Sequence, residues 1–232
     1  RRQRQMCIRD SGASGIAVGM ATNMATHNLG EVVAAAKYVM KHPDATLDDL
    51  MKLVPGPDWP SGGIIIGRSG IREAYATGRG AFTTRSTTHI ENITARKKAI
   101  IVTELPFMVG PERVLERISQ GVKSRKLDGI SGAIDLTDRH NGTRIVIEIK
   151  TGFDPNAVLA QLFKHTPLQE SFTINNVALV DGRPHTMGLR ELLDVWISHR
   201  RTVVRRRSEF RRKKAQERLH LVCLLYTSDA AD

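Results

Sequence analysis

The sequence predicts an α/β protein of the α+β kind: a mixed, mostly antiparallel sheet with helices on one face, followed by a long coiled-coil helix. Three observations carry this expectation. Apolar residues alternate with period two in several segments between positions 98 and 180, and two amphipathic stretches beginning at Pro111 and Pro155 separate them, giving the order βαββαβ. From Gly188 the period becomes helical, and no Pro or Gly breaks it for about 34 residues, roughly 50 Å of helix. The 232 residues are 41% hydrophobic, enough for a real core, yet no run approaches the roughly 18–20 apolar residues of a membrane span. With no signal-peptide plan at the start, the chain is expected in the cytoplasm.

Taken in order, Asn28 and Glu31 form an N-cap pair for a helix that runs to His42-Pro43, with Val32, Val33, Ala36, Val39 and Met40 on one face. Thr46 and Asp49 start a second short helix whose apolar side is Leu47, Leu50, Met51 and Leu53. The proline-rich run 55–60 ends it as a rigid connector. Residues 64–67 read as a short buried strand, 71–77 as a short helix, and 80–93 as a polar, threonine-rich strand or hairpin. Residues 98–105 form a strand and 111–123 a helix with Val114, Leu115, Ile118 and Val122 inward; strands 130–136 and 143–150 are joined by the hairpin turn Asp138-Arg-His-Asn-Gly142. A helix at 155–163, capped by Asp154, and a strand at 173–180 complete the pattern. In the last helix Leu189, Trp196, Val203 and Phe210 repeat every seven residues, which suggests a coiled-coil seam.

The net charge of +11 makes a polyanion the default partner. Both ends, 1–10 and 223–232, resemble translated sequencing-adapter read-through and are expected to be non-native. Setting aside four Arg and one Asp at one end and two Asp at the other lowers the net charge of +11 by only one, so the basic character belongs to the rest. Both cysteines, Cys7 and Cys223, fall in those ends, which leaves no thiol for a disulfide, a metal or a nucleophile.

Gly12 to Asn23 is the most distinctive local stretch. A phosphate-binding loop needs Lys-Ser/Thr after its last glycine, and Met20-Ala21 follows Gly19 instead. A nucleophile elbow needs Gly-x-Ser-x-Gly, but Ser14 is followed at once by Gly15. The eight histidines are scattered, with no pair spaced as zinc ligands on one helical face; Asp135 and Asp138 could bind a divalent ion, but carboxylates flanking a turn are more often solvated. The segment 199–214 carries nine Arg or Lys against one Glu, on a helix whose buried seam would be Val203 and Phe210. It reads equally as a phosphate-tracking helix or as the solvated face of an arm. No catalytic site emerges from the residues themselves.

Several motifs in register carry a resemblance. Gly15-Ile-Ala-Val-Gly-Met-Ala-Thr-Asn23, His27-Asn-Leu29, Pro55-Gly-Pro-Asp58, Gly78-Arg-Gly80, Thr103-Glu-Leu-Pro106, Arg144-Ile-Val-Ile-Glu148 and Asn175-Asn-Val-Ala-Leu179 together resemble the A subunit of bacterial type IIA DNA topoisomerases. The resemblance covers positions 12–222. Details at 105–112 and 176–182 look more like the A subunit of topoisomerase IV than that of DNA gyrase.

The resemblance implies an internal fragment: 11–58 as the C-terminal part of the DNA-gate (winged-helix) region, 59–187 as the tower domain, and 188–222 as the start of the coiled-coil arm. It implies a subunit that holds gate-segment double-stranded DNA, breaks it through a tyrosine, and works as a homodimer of A subunits with an ATPase B subunit in an A2B2 complex on the nucleoid. Mg²⁺ and ATP then belong to the whole enzyme through the B subunit, and no cofactor is bound by this chain. The family's nucleophilic tyrosine follows an arginine upstream of the glycine-rich stretch, before this chain begins. Tyr38, Tyr75 and Tyr226 do not match its position, so no catalytic residue is assigned and the fragment alone is expected not to cut DNA.

One functional residue matches. Ile16, after Gly15, aligns with the family's isoleucine that wedges between base pairs and bends the duplex. Taken without the resemblance, Ile16 reads as core. Arg200, Arg201 and Arg205 are candidate DNA-backbone contacts. Two competing readings are a non-enzymatic nucleic-acid-binding α/β module of the order RNA binders also use, disfavoured because the strands at 98–105 and 143–150 have no aromatic residue to stack a base, and a membrane-surface or structural coiled-coil protein resting on the basic helix.

Overall fold

The computed structural model describes residues 12–17, 20–94, 97–138 and 142–229. The expected non-native segment 1–10, positions 18 and 19 of the glycine-rich stretch, and the centre of the turn at 139–141 lie outside them.

The glycine-rich stretch is a hairpin rather than a loop. Strands β1 (Ala13–Ala17) and β2 (Met20–Met24) pair antiparallel, with Ile16 opposite Ala21 and Gly15 opposite Thr22. Helix α1 (Leu29–Lys41) follows, and the Asn28 carboxamide oxygen accepts the Gly30 N–H at 2.9 Å. Only that half of the expected cap pair is made, because Glu31 Oε2 is buried with no hydrogen-bond partner. Ala35, Ala36 and Val39 face the core; Val33 and Met40, expected beside them, are exposed. At α2 (Leu47–Leu53) Thr46 and Asp49 close a reciprocal capping box that satisfies two of the helix's orphan N–H groups.

β3 (Ile64–Ile66), expected to be buried, is an edge strand with Ile64 and Ile66 exposed. α3 (Ser69–Thr77) ends at Gly78, whose φ of 81° lets the chain reverse into β4 (Arg79–Arg85). The threonine-rich segment is not a hairpin: β4 and β5 (Thr87–Thr94) separate at Ser86 into two different sheets. Then come β6 (Lys97–Glu104), α4 (Pro111–Lys123), β7 (Ile130–Asp135), β8 (Ile145–Ile149) and α5 (Pro155–His165). The expected strand at 173–180 breaks at Asn176 into β9 (Gln169–Asn175) and β10 (Val177–Val180), and β10 pairs with β11 (Arg183–Thr186) as a separate ribbon.

All ladders within the two larger sheets are antiparallel, in the orders β1-β2-β9-β4-β3 and β5-β6-β8-β7. The second sheet has the expected layout. Ile100, Val102, Ile145, Ile147 and Ile149 face Val114 and Ile118 of α4 and Val158 and Leu162 of α5. Val122, expected inward, is exposed because it falls past the last turn that meets the sheet. The first sheet shares a core with α1, α2, α3 and the root of the last helix, centred on Trp59, which stacks on Phe107 at 4.5 Å and meets Phe172 edge-on.

Helix α6 (Leu189–Asp229) is 41 residues, about 60 Å, longer than expected. Its packed face is Leu189, Leu193 and Ile197, spaced four apart, which takes only Leu189 from the seven-residue series. Trp196 and Phe210 are exposed and Val203 only half-buried, so the expected seam is not filled within this chain. Beyond Ser198 nearly every described side chain is exposed.

Candidate nucleic-acid interface

Ile16 is 95% exposed, so it is not a core residue. On a strand, side chains alternate, and pairing with β2 puts Ile16 and Ala21 on one face while Gly15 and Thr22 take the other. Gly15 has no steric need inside the chain: a methyl there would make only ordinary contact with the Thr22 methyl, at 3.7 Å. Ile16 flanks an apolar groove between the hairpin and β10, whose other walls are Met20, Ala21, Thr22, Val177 and the exposed Leu179.

Side chains fasten this hairpin to β9. Asn175 Nδ2 donates to the Ala21 carbonyl at 2.6 Å, Asn23 Nδ2 donates to the Thr173 carbonyl at 2.6 Å, and the Thr22 hydroxyl donates to the Asn175 carbonyl at 3.2 Å. Sequence reasoning did not single out these asparagines. The available signal was the low strand propensity of Asn, which makes an Asn within a strand-like run worth explaining.

Behind the hairpin, His27 joins the segment after β2 to α3. Its Nδ1 lies 3.0 Å from the Ala25 carbonyl, which can only accept, so Nδ1 carries the proton and Nε2 accepts from the Tyr75 hydroxyl at 2.8 Å. Burial lowers the His27 pKa, against smaller raising effects of the Ala25 carbonyl and Asp58. Burial, then the Glu31 and Asp58 carboxylates, pushes the Tyr75 phenol up. Tyr75 is therefore a buried donor and poorly suited to attack a phosphate. Burial and the nearby Asp58 also raise the Glu31 pKa.

Arg200, Arg201 and Arg205 are exposed on α6, and among the described residues no hydrogen bond or ion pair joins them to the hairpin. The helix that carries them is gripped at its root. Arg190 donates through Nη1 to the Ala45 carbonyl at 2.8 Å and through Nη2 to the Pro43 carbonyl at 2.7 Å, and its Nε pairs with Asp194. Asp135, a candidate cation ligand, instead accepts the Thr137 N–H at 2.9 Å. Among the described residues no group of three or more His, Cys, Asp or Glu could hold a metal ion. No helix of the described residues is long and apolar enough to cross a membrane.

The family model for the A subunit of DNA gyrase/topoisomerase IV matches residues 9–232. The chain is 45% identical over 212 residues to the DNA gyrase A subunit of Staphylococcus epidermidis, a match covering 91% of this chain and 24% of that protein. It is 46% identical over 214 residues to the DNA gyrase A subunit of Aminobacterium colombiense, covering 91% of this chain and 26% of the relative. With the DNA gyrase A subunit of Staphylococcus aureus it shares 44% over 212 residues, 91% of this chain and 24% of that protein. The chain spans about a quarter of the length of the curated relatives it matches.

Proposed function

Because the chain belongs to the family of DNA gyrase and topoisomerase IV A subunits, we propose that it is a segment of the DNA breakage-reunion subunit of an ATP-dependent type II DNA topoisomerase, and that its own part is to bind and bend gate-segment duplex DNA. Ile16 carries this reading. An isoleucine 95% exposed on a braced hairpin leaves apolar surface in water until a partner covers it. Driven between two base pairs, such a side chain unstacks one step at a cost of about a few kcal/mol, and the bent duplex then meets more basic surface.

The partners in this reading are double-stranded DNA, a second copy of the same A subunit, and B subunits that hydrolyse ATP, in an A2B2 assembly acting on the nucleoid. In this reading Mg²⁺ and ATP are supplied through the B subunit, and this chain itself binds no cofactor. None of Tyr38, Tyr75 and Tyr226 is the nucleophile in this reading, and the segment alone binds DNA without cutting it.

The relatives are named as A subunits of DNA gyrase, so the preference for topoisomerase IV drawn from 105–112 and 176–182 has no support among them. Gyrase activity fits the chain equally well, and a relaxed plasmid separates the two: gyrase introduces negative supercoils with ATP, whereas topoisomerase IV does not.

The test is the full-length protein joined to its B partner. Wild type is expected to relax or decatenate DNA with ATP. Ile16→Ala is expected to lower the bent fraction of duplex and the strand-passage rate by at least about tenfold, the equivalent of losing about 1.4 kcal/mol. Normal bending and strand passage by Ile16→Ala would remove the wedge role.

A further inference from the structure

We propose that Asn175 is the positioning residue of the Ile16 wedge, holding the β1–β2 hairpin at the angle from which Ile16 enters a base-pair step. The inference rests on the reading of Ile16 given above and adds a residue on a different strand.

The hairpin has a weak backbone attachment. A single ladder pair, Asn23 with Asn175, joins β2 to β9, whereas β9 and β4 pair along their whole length from Arg79–Asn175 to Arg85–Gln169. A hairpin hung from one pair can pivot about it. A wedge cannot tolerate that freedom, because a working side chain must be held to roughly 0.5 Å and 10–20° of its productive geometry.

Side chains supply the missing restraint, and Asn175 is at its centre. Its Nδ2 donates to the carbonyl of Ala21 at 2.6 Å, and Ala21 is the residue directly opposite Ile16. Its own carbonyl accepts the Thr22 hydroxyl at 3.2 Å, one residue further along β2. Asn23 reaches back to the Thr173 carbonyl, so the seam is crossed in both directions.

The strand behind the seam is itself anchored. The N–H of Asn176 donates to the Gly78 carbonyl at 2.8 Å, and its carbonyl accepts the Met187 N–H at 3.0 Å. Asn175 therefore connects the wedge to a frame that includes the end of α3 and the approach to α6. Valine or isoleucine would suit a strand better at this position, but neither has a donor to reach Ala21.

The experiment uses the full-length protein in complex with its B subunit, on a duplex carrying a donor and an acceptor dye at its ends, with energy transfer reporting the bent fraction at saturating protein. Four proteins are compared: wild type, Ile16→Ala, Asn175→Ala and the double variant. The expected result is a several-fold loss of bent fraction in Asn175→Ala and no further loss when Asn175→Ala is added to Ile16→Ala, because a residue that acts only through the wedge has nothing to position once the wedge is gone. Asn175→Asp, isosteric but without the donor, should behave as Asn175→Ala does and covers the case in which alanine fails to fold.

Wild-type bending by both Asn175 variants, with Ile16→Ala impaired, overturns the positioning role and leaves the wedge intact. An equal loss in the Ile16→Ala background also overturns it, since the effect would then not pass through Ile16. Normal bending by Ile16→Ala overturns the wedge itself and this proposal with it.

Discussion

The Tyr75 hydroxyl and His27 Nε2 share a hydrogen bond of 2.8 Å that ties the segment after β2 to α3. With Nδ1 committed to the Ala25 carbonyl, Tyr75 is the one donor to Nε2 among the described residues. Tyr75→Phe removes that donor and leaves a largely buried acceptor unmatched, which costs about 1–3 kcal/mol. Urea unfolding of the variant checks this, and an unchanged midpoint would mean that water replaces the phenol.

The same pair sets an acid sensitivity. The folded-state pKa of His27 is lowered from its ordinary 6.5, with burial the largest cause, so the unfolded chain binds a proton more readily than the folded one. The stability this contributes is complete above about pH 6.5 and is lost as pH falls below it. Melting temperatures taken from pH 7.5 down to 5.5 should fall for wild type and fall less for His27→Gln. The raised Glu31 works in the opposite sense on acidification but is common to both proteins, so the difference isolates His27. Parallel curves would rule out this assignment.

Periodicity made the second sheet legible, because Ile145, Ile147 and Ile149 alternate on a strand buried on that face and α4 and α5 each begin at a proline. It could not show that β4 and β5 part at Ser86, since both halves are polar and a sheet switch is a matter of tertiary pairing rather than local pattern. The heptad series of α6 is left uncovered from Trp196 onward for a related reason. Seven-residue spacing describes a helix meeting another helix, whereas the root of α6 meets a globular core through Leu189, Leu193 and Ile197. Ile16 is the sharpest case: an isoleucine in an apolar run reads as core, and only the resemblance pointed outward, where the structure places it. Asn175 was visible only as part of a motif, because its partner Ala21 lies 154 positions away.

Glu104 holds three segments together. One carboxylate oxygen accepts the Gly63 N–H at 2.8 Å and the Thr87 hydroxyl at 2.6 Å, fixing the connector before β3 and the start of β5 to the end of β6. The Thr87 hydroxyl and then the Gly63 N–H hold its pKa below the usual carboxylate value, so the charged form is the one bound. Glu104→Ala is expected to destabilise by about 2–3 kcal/mol through the loss of charge-assisted bonds, and Glu104→Gln, which retains one acceptor oxygen, by less. Equilibrium denaturation distinguishes the two, and equal midpoints for all three proteins would show that the clamp contributes nothing.

Gly188 is required by close approach of backbones. A methyl there would lie 2.5 Å from the Tyr75 carbonyl oxygen and 2.6 Å from that of Ala76, and main-chain atoms cannot rotate aside as a side chain could. Gly188→Ala is therefore expected to push the root of α6 away from α3 and destabilise by about 3 kcal/mol, at the upper end for overpacking. The bonds from Arg190 to the Pro43 and Ala45 carbonyls would be strained by the same displacement. Hydrogen exchange should locate the loss of protection in the first turns of α6, and a wild-type exchange profile would show that the neighbouring backbone yields.

Arg200, Arg201 and Arg205 offer a test that separates phosphate neutralisation from wedging. At 100° per residue they span about 140° of the helix surface, a sector one duplex backbone can follow. All three are exposed, so replacing them by alanine should leave stability within about 0.5 kcal/mol of wild type and make any change in DNA affinity interpretable. Each phosphate that α6 no longer neutralises lowers the steepness of log affinity against log salt by roughly 0.9, so a triple alanine variant should lower it by nearly three. Ile16→Ala should leave that slope unchanged while reducing bending, since the side chain carries no charge and releases no counterion. If the triple variant retains the wild-type slope in the assembled enzyme, this stretch of α6 is a solvated face and the basic patch that binds DNA lies elsewhere.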